Sequence, residues 1–301
     1  QHYRMYSQVN QGMWCCVGTG MENHSKYGEF IYAHSPENDS LYVNLFVAST
    51  LKNEYFGVKQ ETQYPYEEQT KLTIEKAGIY VMAIRHPQWC KGEYKILING
   101  SDANVNSTPG TYAYINRSWA EGDEIIVKMP MALELEACPN NTNYVAFKYG
   151  PVLLSAITST ENLTGQFAGE GRMDHAPSQG AQLSLTSAPM LIGNRADVLS
   201  YVEPVDKSKL HFKLKPGLYN SERFNDLILQ PFFTVHEARY MIYWNQLTQT
   251  QWDAIKEEVI AEEQAIQRLQ DRTLDFVATG EQQSDAGHVL QGEFGKGAYS
   301  G

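Results

Sequence analysis

The chain is short of positive charge. Across its 301 residues, 24 lysines and arginines stand against 35 aspartates and glutamates, a formal net charge of −11. Nucleic acid and anionic membrane surfaces would both be repelled, and no basic cluster offsets the balance, so neither is expected as a partner. Long hydrophobic runs are missing as well. No stretch approaches the length of a membrane span, and a soluble chain is expected. Cysteine is scarce: Cys15, Cys16, Cys90 and Cys138 are all there are. Adjacent cysteines seldom bond to each other, because the small ring strains the disulfide away from its ordinary geometry. Cys90 and Cys138 either pair or stay as buried thiols, and their spacing matches no zinc ribbon or finger. The two-residue separation of redox dithiols is absent, which argues against a thiol redox protein.

What the chain does have is tyrosine, 19 residues of it, beside 11 Phe and 5 Trp. Strands favour such residues, and so do carbohydrate-binding faces, where a ring stacks while its hydroxyl bonds; strand packing is the commoner use. Residues 18–33 read as a helix. Thr19 and Glu22 form a capping-box signature, and Met21, His24, Tyr27 and Ile31 fall on one face. A strand is read at Leu41–Thr50. Further strand runs follow at Thr70–Ile74, Ile79–Arg85, Tyr94–Ile98, Thr111–Asn116, Glu124–Met129 and Val152–Ile157. The turn signals Asn99-Gly100, Pro109-Gly110 and Glu121-Gly122-Asp123 separate them. Short strands at this spacing predict a mainly β fold built on antiparallel β-sandwich packing. A Gly- and Ser-rich stretch over 158–200 reads as a long loop or linker. Strand patterns resume at Leu210–Leu214, Leu227–Pro231 and Tyr240–Asn245. A helix over 250–271 starts at Thr250 and Asp253 and carries an apolar stripe of Trp252, Ile255, Val259, Ile266 and Leu269.

The run Gly12-Met13-Trp14-Cys15-Cys16-Val17-Gly18-Thr19-Gly20 holds the most chemistry. Thiolate, not thiol, is both nucleophile and metal ligand, and the unpaired amides at a helix start favour the charged form. Two thiolates fill at most two positions of a tetrahedral zinc. The plain alternative is two small buried residues at a strand-to-helix corner. His24 near the same helix start reads as a structural histidine, and the capping box accounts for Glu22. Arg85, His86 and Trp89 read as a packed corner more than a sugar site. His236 with Glu237 lacks the second histidine of a zinc-protease motif. Asn162-Leu163-Thr164 is a glycosylation sequon, relevant only in a glycosylating host.

The run Trp14–Gly28, with Ile31-Tyr32 and Leu41–Phe46 after it, closely resembles the bacterial β-L-arabinofuranosidases of glycoside hydrolase families 127 and 146. The likeness continues through Arg85-His86-Pro87-Gln88-Trp89, Ile98-Asn99-Gly100, Tyr114–Trp119 with Gly122-Asp123, and Tyr149-Gly150-Pro151. The resemblance implies an (α/α) barrel joined to β-sandwich domains, and a retaining hydrolase acting on arabinose-containing plant glycans. It implies Cys15 as the catalytic nucleophile, with Cys15 and Cys16 as ligands of a Zn2+ ion. The remaining zinc ligands and the acid/base glutamate of the family lie upstream of the cysteine pair, so the chain is expected to be the C-terminal part of the enzyme. By itself it is expected to be inactive and to bind zinc weakly, with the missing N-terminal barrel of the same protein as its partner. A periplasmic or extracellular location is implied.

The organisation expected is then a last barrel segment over 1–34, a β-sandwich over 35–157, and a linker with a second β region over 158–247. An amphipathic helix over 248–272 follows, and a tail or the start of a further domain over 273–301. The alternative function is a non-catalytic β-sandwich module that packs on the barrel or binds carbohydrate.

Overall fold

A computed structural model describes residues 15–161, 188–215 and 226–278, together with Tyr6, Leu163 and Phe224. The fold is mainly β, with nineteen strands and two α-helices among the described residues.

Helix α1 (Cys15–Ile31) opens the described chain. It begins three residues before the expected start at 18, so Thr19 lies inside the helix and caps nothing. Gly18 and Gly20 sit within it in open space; a helical glycine costs about 1 kcal/mol against alanine but does not end a helix. The helix stops at Ile31, and residues 32 and 33, expected to be helical, fall in β1 (Tyr32–His34) instead.

Ten strands build the first β unit. They are β1, β2 (Ser40–Val43), β3 (Ser49–Lys52), β4 (Gly57–Thr62), β5 (Gln69–Ile74), β6 (Gly78–Arg85), β7 (Lys95–Ile98), β8 (Ser101–Asp102), β9 (Tyr112–Trp119) and β10 (Glu124–Lys128). One sheet has the order β1-β2-β6-β9 and the other β3-β4-β5-β10-β7-β8. All neighbours are antiparallel except β2 and β6. Burial alternates along β2, β5, β7 and β10, the period-two signature of a sheet with one face in a core. Leu41, Met82, Ile84 and Ile115 from one sheet meet Val58, Leu72, Ile96, Ile125 and Val127 from the other in a single core. The expected strand over 41–50 is in fact two. Asn44 and Leu45 turn their amides to the Ile31 carbonyl at 2.9 and 3.4 Å. Those bonds close the end of α1 and interrupt pairing, and the chain crosses to the opposite sheet before β3 begins.

The second unit is a branched nine-stranded sheet around its own core. Its strands are β11 (Leu133–Cys138), β12 (Asn141–Tyr149), β13 (Val152–Ser159), β14 (Leu191–Ile192), β15 (Val202–Asp206), β16 (His211–Leu214), β17 (Ile228–Pro231), β18 (Arg239–Met241) and β19 (Tyr243–Leu247). Phe147, Leu154, Leu191, Phe212, Leu229 and Trp244 fill the interior. The two cores part between Met129 and Leu133, inside the 35–157 stretch that the sequence suggests as one sandwich. The reason is pairing: β11 and β12 bond to each other and to β13 and β19, not to the first unit's sheets. Residues 164–187 of the expected linker, the sequon residues Asn162 and Thr164, and the tail beyond 278 lie outside the described residues.

Helix α2 (Gln249–Ala278) follows β19 and continues through 273–278, which the sequence reading places in the tail. Its cap is Thr248 rather than Thr250. The Thr248 hydroxyl accepts from the Gln251 amide at 3.3 Å, and the Gln251 carboxamide oxygen accepts from the Thr248 amide at 2.8 Å. This is a reciprocal capping box. Trp252, Ile255 and Val259 of the expected stripe pack on Met190, Ile192 and Leu247, whereas Leu269 is exposed.

Candidate functional site

Cys15 and Cys16 form the first two positions of α1, not the turn before it. Backbone amides there have no partner within the helix, so the main chain supplies partial positive charge. From Gly18 to Phe30 the helix is exposed, and Ile31 after them is buried. Met21, Tyr27 and Phe30 are therefore uncovered apolar side chains spread over half the circumference of the helix, with His24 among them. His24 meets Tyr27 edge-on at 5.6 Å, and the Asn23 amide donates to the Tyr27 hydroxyl at 2.9 Å. Glu22 is exposed and caps nothing. The zinc that the family resemblance implies finds no complete donor set here. Among the described residues no three His, Cys, Asp or Glu side chains come together to hold a metal ion. The two adjacent thiolates by themselves leave a tetrahedral ion half ligated.

The other two cysteines are free thiols, Cys90 buried in the first core and Cys138 half-buried on β11. Burial pushes the Cys90 thiol up. It is therefore a packing residue rather than a nucleophile.

Arg85, His86 and Trp89 form a packed corner, as the sequence suggests. His86 is buried, with Nδ1 at 2.9 Å from the Ser107 hydroxyl and Nε2 at 3.0 Å from the Cys90 carbonyl. Its ring stacks on Tyr94 at 4.0 Å. The Arg85 guanidinium sits over Phe46 at 5.9 Å, and Trp89 stacks on Tyr64. Burial pushes the Tyr64 phenol up to about 12, so it stays neutral. Both ring nitrogens of His86 are engaged, which leaves it no free position for catalysis. His236 and Glu237 are exposed on a turn, where Glu237 has φ +44° and its amide donates to the Tyr6 hydroxyl at 3.4 Å. Among the described residues they join no metal-binding cluster.

The Asn99-Gly100 and Gly122-Asp123 signals, far apart in sequence, meet in space. Asn99 and Gly100 take φ +51° and +81° in the two-residue turn between β7 and β8, a conformation open to asparagine and glycine. The Asn99 side chain then donates to Asp123 at 2.8 Å and accepts from the Glu124 amide at 2.9 Å. Asp123 also takes the Ala120 amide at 3.0 Å and faces Arg117 at 3.7 Å. These contacts hold its carboxyl below the usual carboxylate range, the Asn99 bond contributing most. The cluster is a structural latch between turns.

Sequence reasoning missed one concave feature. A cavity of about 420 Å³ opens where β12 and β19 meet α2, lined by Asn141, Asn143, Tyr144, Asn245 and Gln251 among others. A polar run such as Asn141-Thr142-Asn143 reads as loop. Only the alternation Leu133-Glu134-Leu135-Glu136 just before it signals a hairpin.

Two β units in series, each with its own core and preceded by an exposed helix, define a multidomain β-rich chain. Residues 40–131 match the profile of the GH127 beta-L-arabinofuranosidase middle domain, and residues 134–246 match a domain of unknown function, DUF4986. The first β unit of this chain thus carries the likeness to the GH127 middle domain. Among solved structures, a GH127 beta-arabinofuranosidase is similar with a TM-score of 0.56 at 18% identity, over 82% of this chain and 42% of its own. A protein described as a glycoside hydrolase gives 0.55 at 19%, over 78% and 40%. A GH127 beta-L-arabinofuranosidase from Geobacillus stearothermophilus T6 gives 0.51 at 22%, over 77% and 37%. At these identities the likeness is one of fold, and the chain spans about two fifths of the length of each. No curated protein sequence matches the chain. The junction between the two matched profiles, residues 131–134, coincides with the point where the two cores part.

Proposed function

We propose that this chain is the C-terminal part of a retaining glycoside hydrolase that removes β-L-arabinofuranosyl residues from arabinose-containing glycans, with Cys15 as its nucleophile. The observation that carries the reading is continuity. α1, with Cys15 and Cys16 in its first turn, runs without a break into β1 and so into the GH127-matched unit. In this reading the Cys15 thiolate attacks the anomeric carbon. A C–S bond forms as the glycosidic C–O bond breaks, and an acid outside this chain protonates the leaving oxygen. Water then cleaves the thioglycosyl bond, returning the thiolate and releasing the sugar with net retention. Cys15 and Cys16 would supply two thiolates to a zinc ion whose other ligands come from the (α/α) barrel. The exposed apolar side chains Met21, Tyr27 and Phe30 suit a helix that packs against such a barrel. A periplasmic or extracellular location goes with a glycan substrate.

The test is Cys15→Ala in the full-length protein, read as sugar released from an aryl β-L-arabinofuranoside. A fall of roughly a thousandfold or more is expected, the scale on which removing a covalent nucleophile acts. Unchanged turnover would overturn the assignment and leave the second reading, a non-catalytic module that packs on the barrel or binds carbohydrate. That reading draws on the completeness of the two β units, each closed around its own core. The isolated chain should release no arabinose and retain no stoichiometric zinc after dialysis.

A further inference from the structure

From the cavity between β12, β19 and α2 we infer a second saccharide-binding site, separate from the cysteine helix, that takes a neutral sugar at the end of a glycan chain. This rests on the reading of the protein as a glycan-directed hydrolase and names a place where the glycan is held.

The lining chemistry selects the ligand. Most of the lining is apolar, with polar groups set into it from Asn141, Asn143, Asn245, Gln251 and Tyr144. The Asn141 and Gln251 oxygens already accept from the Asn143 and Thr248 amides, which leaves their NH2 groups as donors. A carboxamide both donates and accepts, which is what a sugar hydroxyl requires of its neighbours. Leu247, Ala254 and Ile255 supply an apolar patch for the C–H face of a ring. Among the described residues no lysine, arginine, aspartate or glutamate lines the space, so none of them would offset a phosphate, a carboxylate or an ammonium group. A volume of about 420 Å³ falls within the 300–1,000 Å³ range of small-molecule sites. The cavity is open to solvent, which suits a chain end rather than an enclosed metabolite.

The walls are held in place. Tyr144 and Asn245 are directly paired across β12 and β19. Arg195 bridges the two strands, donating from Nε to the Gln246 carboxamide at 2.9 Å and from Nη2 to the Thr142 carbonyl. Gln246, itself buried, donates onward to the Gly193 carbonyl at 2.9 Å. The third wall, α2, is fixed at its start by the Thr248–Gln251 capping box and by Val259 in the small core beneath it. Meanwhile the Asn245 amide has, among the described residues, only the Met190 sulfur at 3.9 Å as acceptor, a weak partner that a hydroxyl would better.

The experiment is affinity electrophoresis of the 301-residue chain through gels with and without soluble arabinan, with arabinotetraose as free competitor. Retardation that arabinotetraose relieves is expected. Ala254→Trp, which adds bulk from an exposed helix position, should weaken the retardation at least tenfold, and Asn143→Leu should do the same from the strand side. Circular dichroism and thermal midpoint check that each variant is folded. In the full-length enzyme, Ala254→Trp should leave turnover of a small aryl arabinofuranoside unchanged while lowering turnover of polymer. A Cys15→Ala variant should bind arabinan as the parent does, so the two readings fail separately. Absence of retardation in the parent chain, or retardation unchanged in folded Ala254→Trp, would overturn the site.

Discussion

The Tyr149 hydroxyl donates a 2.6 Å hydrogen bond to Oε1 of Glu68, joining the second β unit to the first across 81 residues of sequence. Beside it, the Met129 amide donates to the Glu68 carbonyl at 2.7 Å, and Lys91 pairs with Glu134 at 2.9 Å. Glu68 thus receives one contact from each side of the point where the cores part. Burial, with Glu68 beside it, pushes the Tyr149 phenol up, so the donor keeps its proton through the alkaline range. Tyr149→Phe should cost about 1.5–3 kcal/mol, the scale of a hydrogen bond to a charged group. Urea denaturation followed by tryptophan fluorescence checks it, and a variant as stable as the parent would show that the bond contributes nothing net.

The neighbouring glycine is constrained more tightly. Gly150 has φ +54°, and a Cβ there would lie 2.5 Å from Cγ of Met131. Gly150→Ala should destabilise by about 1–3 kcal/mol through the left-handed conformation alone. The clash adds to that, so Met131→Ala in the same chain should recover part of the loss. No recovery would place the whole effect in the backbone.

Stability at acid pH should depend on Asp123. Its contacts favour the carboxylate in the fold, so its pKa there lies below the unfolded value of about 3.9. A depressed folded value means the contribution is present above the unfolded pKa and is lost as pH falls through the folded one. Asp123→Asn should flatten the stability profile below pH about 4, and thermal midpoints from pH 2 to pH 7 would show it. An unchanged acid limb would mean that other carboxylates carry it.

Thiol reactivity should rank by burial. Cys90 is fully buried and its thiol is raised, so alkylation by iodoacetamide in the native chain should be far slower than after unfolding. Cys138, half-buried, should react sooner. Mass spectrometry of proteolytic peptides distinguishes them, and equal rates would mean that the first core opens readily.

Thr248→Ala removes the side-chain half of the α2 cap and should cost about 1 kcal/mol. The loss should be read in amide exchange over 249–259 rather than in the β units. Thr250→Ala, at the position the sequence favoured, should be close to neutral.

The strands of the first unit were readable because they lie half in a core: Gln69–Ile74 and Glu124–Lys128 alternate buried and open residue by residue. The strands that escaped notice lack that contrast. β12 begins with three polar residues, and β11 is half-buried along nearly all its length, so neither reads cleanly as a strand. The start of α1 escaped for a different reason. Gly18-Thr19-Gly20 carries the local signals of a turn, yet the helix runs through it.

By itself the sequence determined the β class, the packed role of the Arg85–Trp89 corner and the family resemblance, since each depends on residue types at short spacing. It also singled out Cys15 and Cys16 as the chain's chemical possibility. Only the tertiary structure decided where one core ends and the next begins, that Asn99 and Asp123 form one latch, and that Cys90 and Cys138 stay apart. It alone brought β12, about a hundred residues away in sequence, against β19 and α2 around a cavity edged with carboxamides. Short-range pattern dictates which face of an element turns inward, but which elements share an interior depends on long-range pairing that no local window contains.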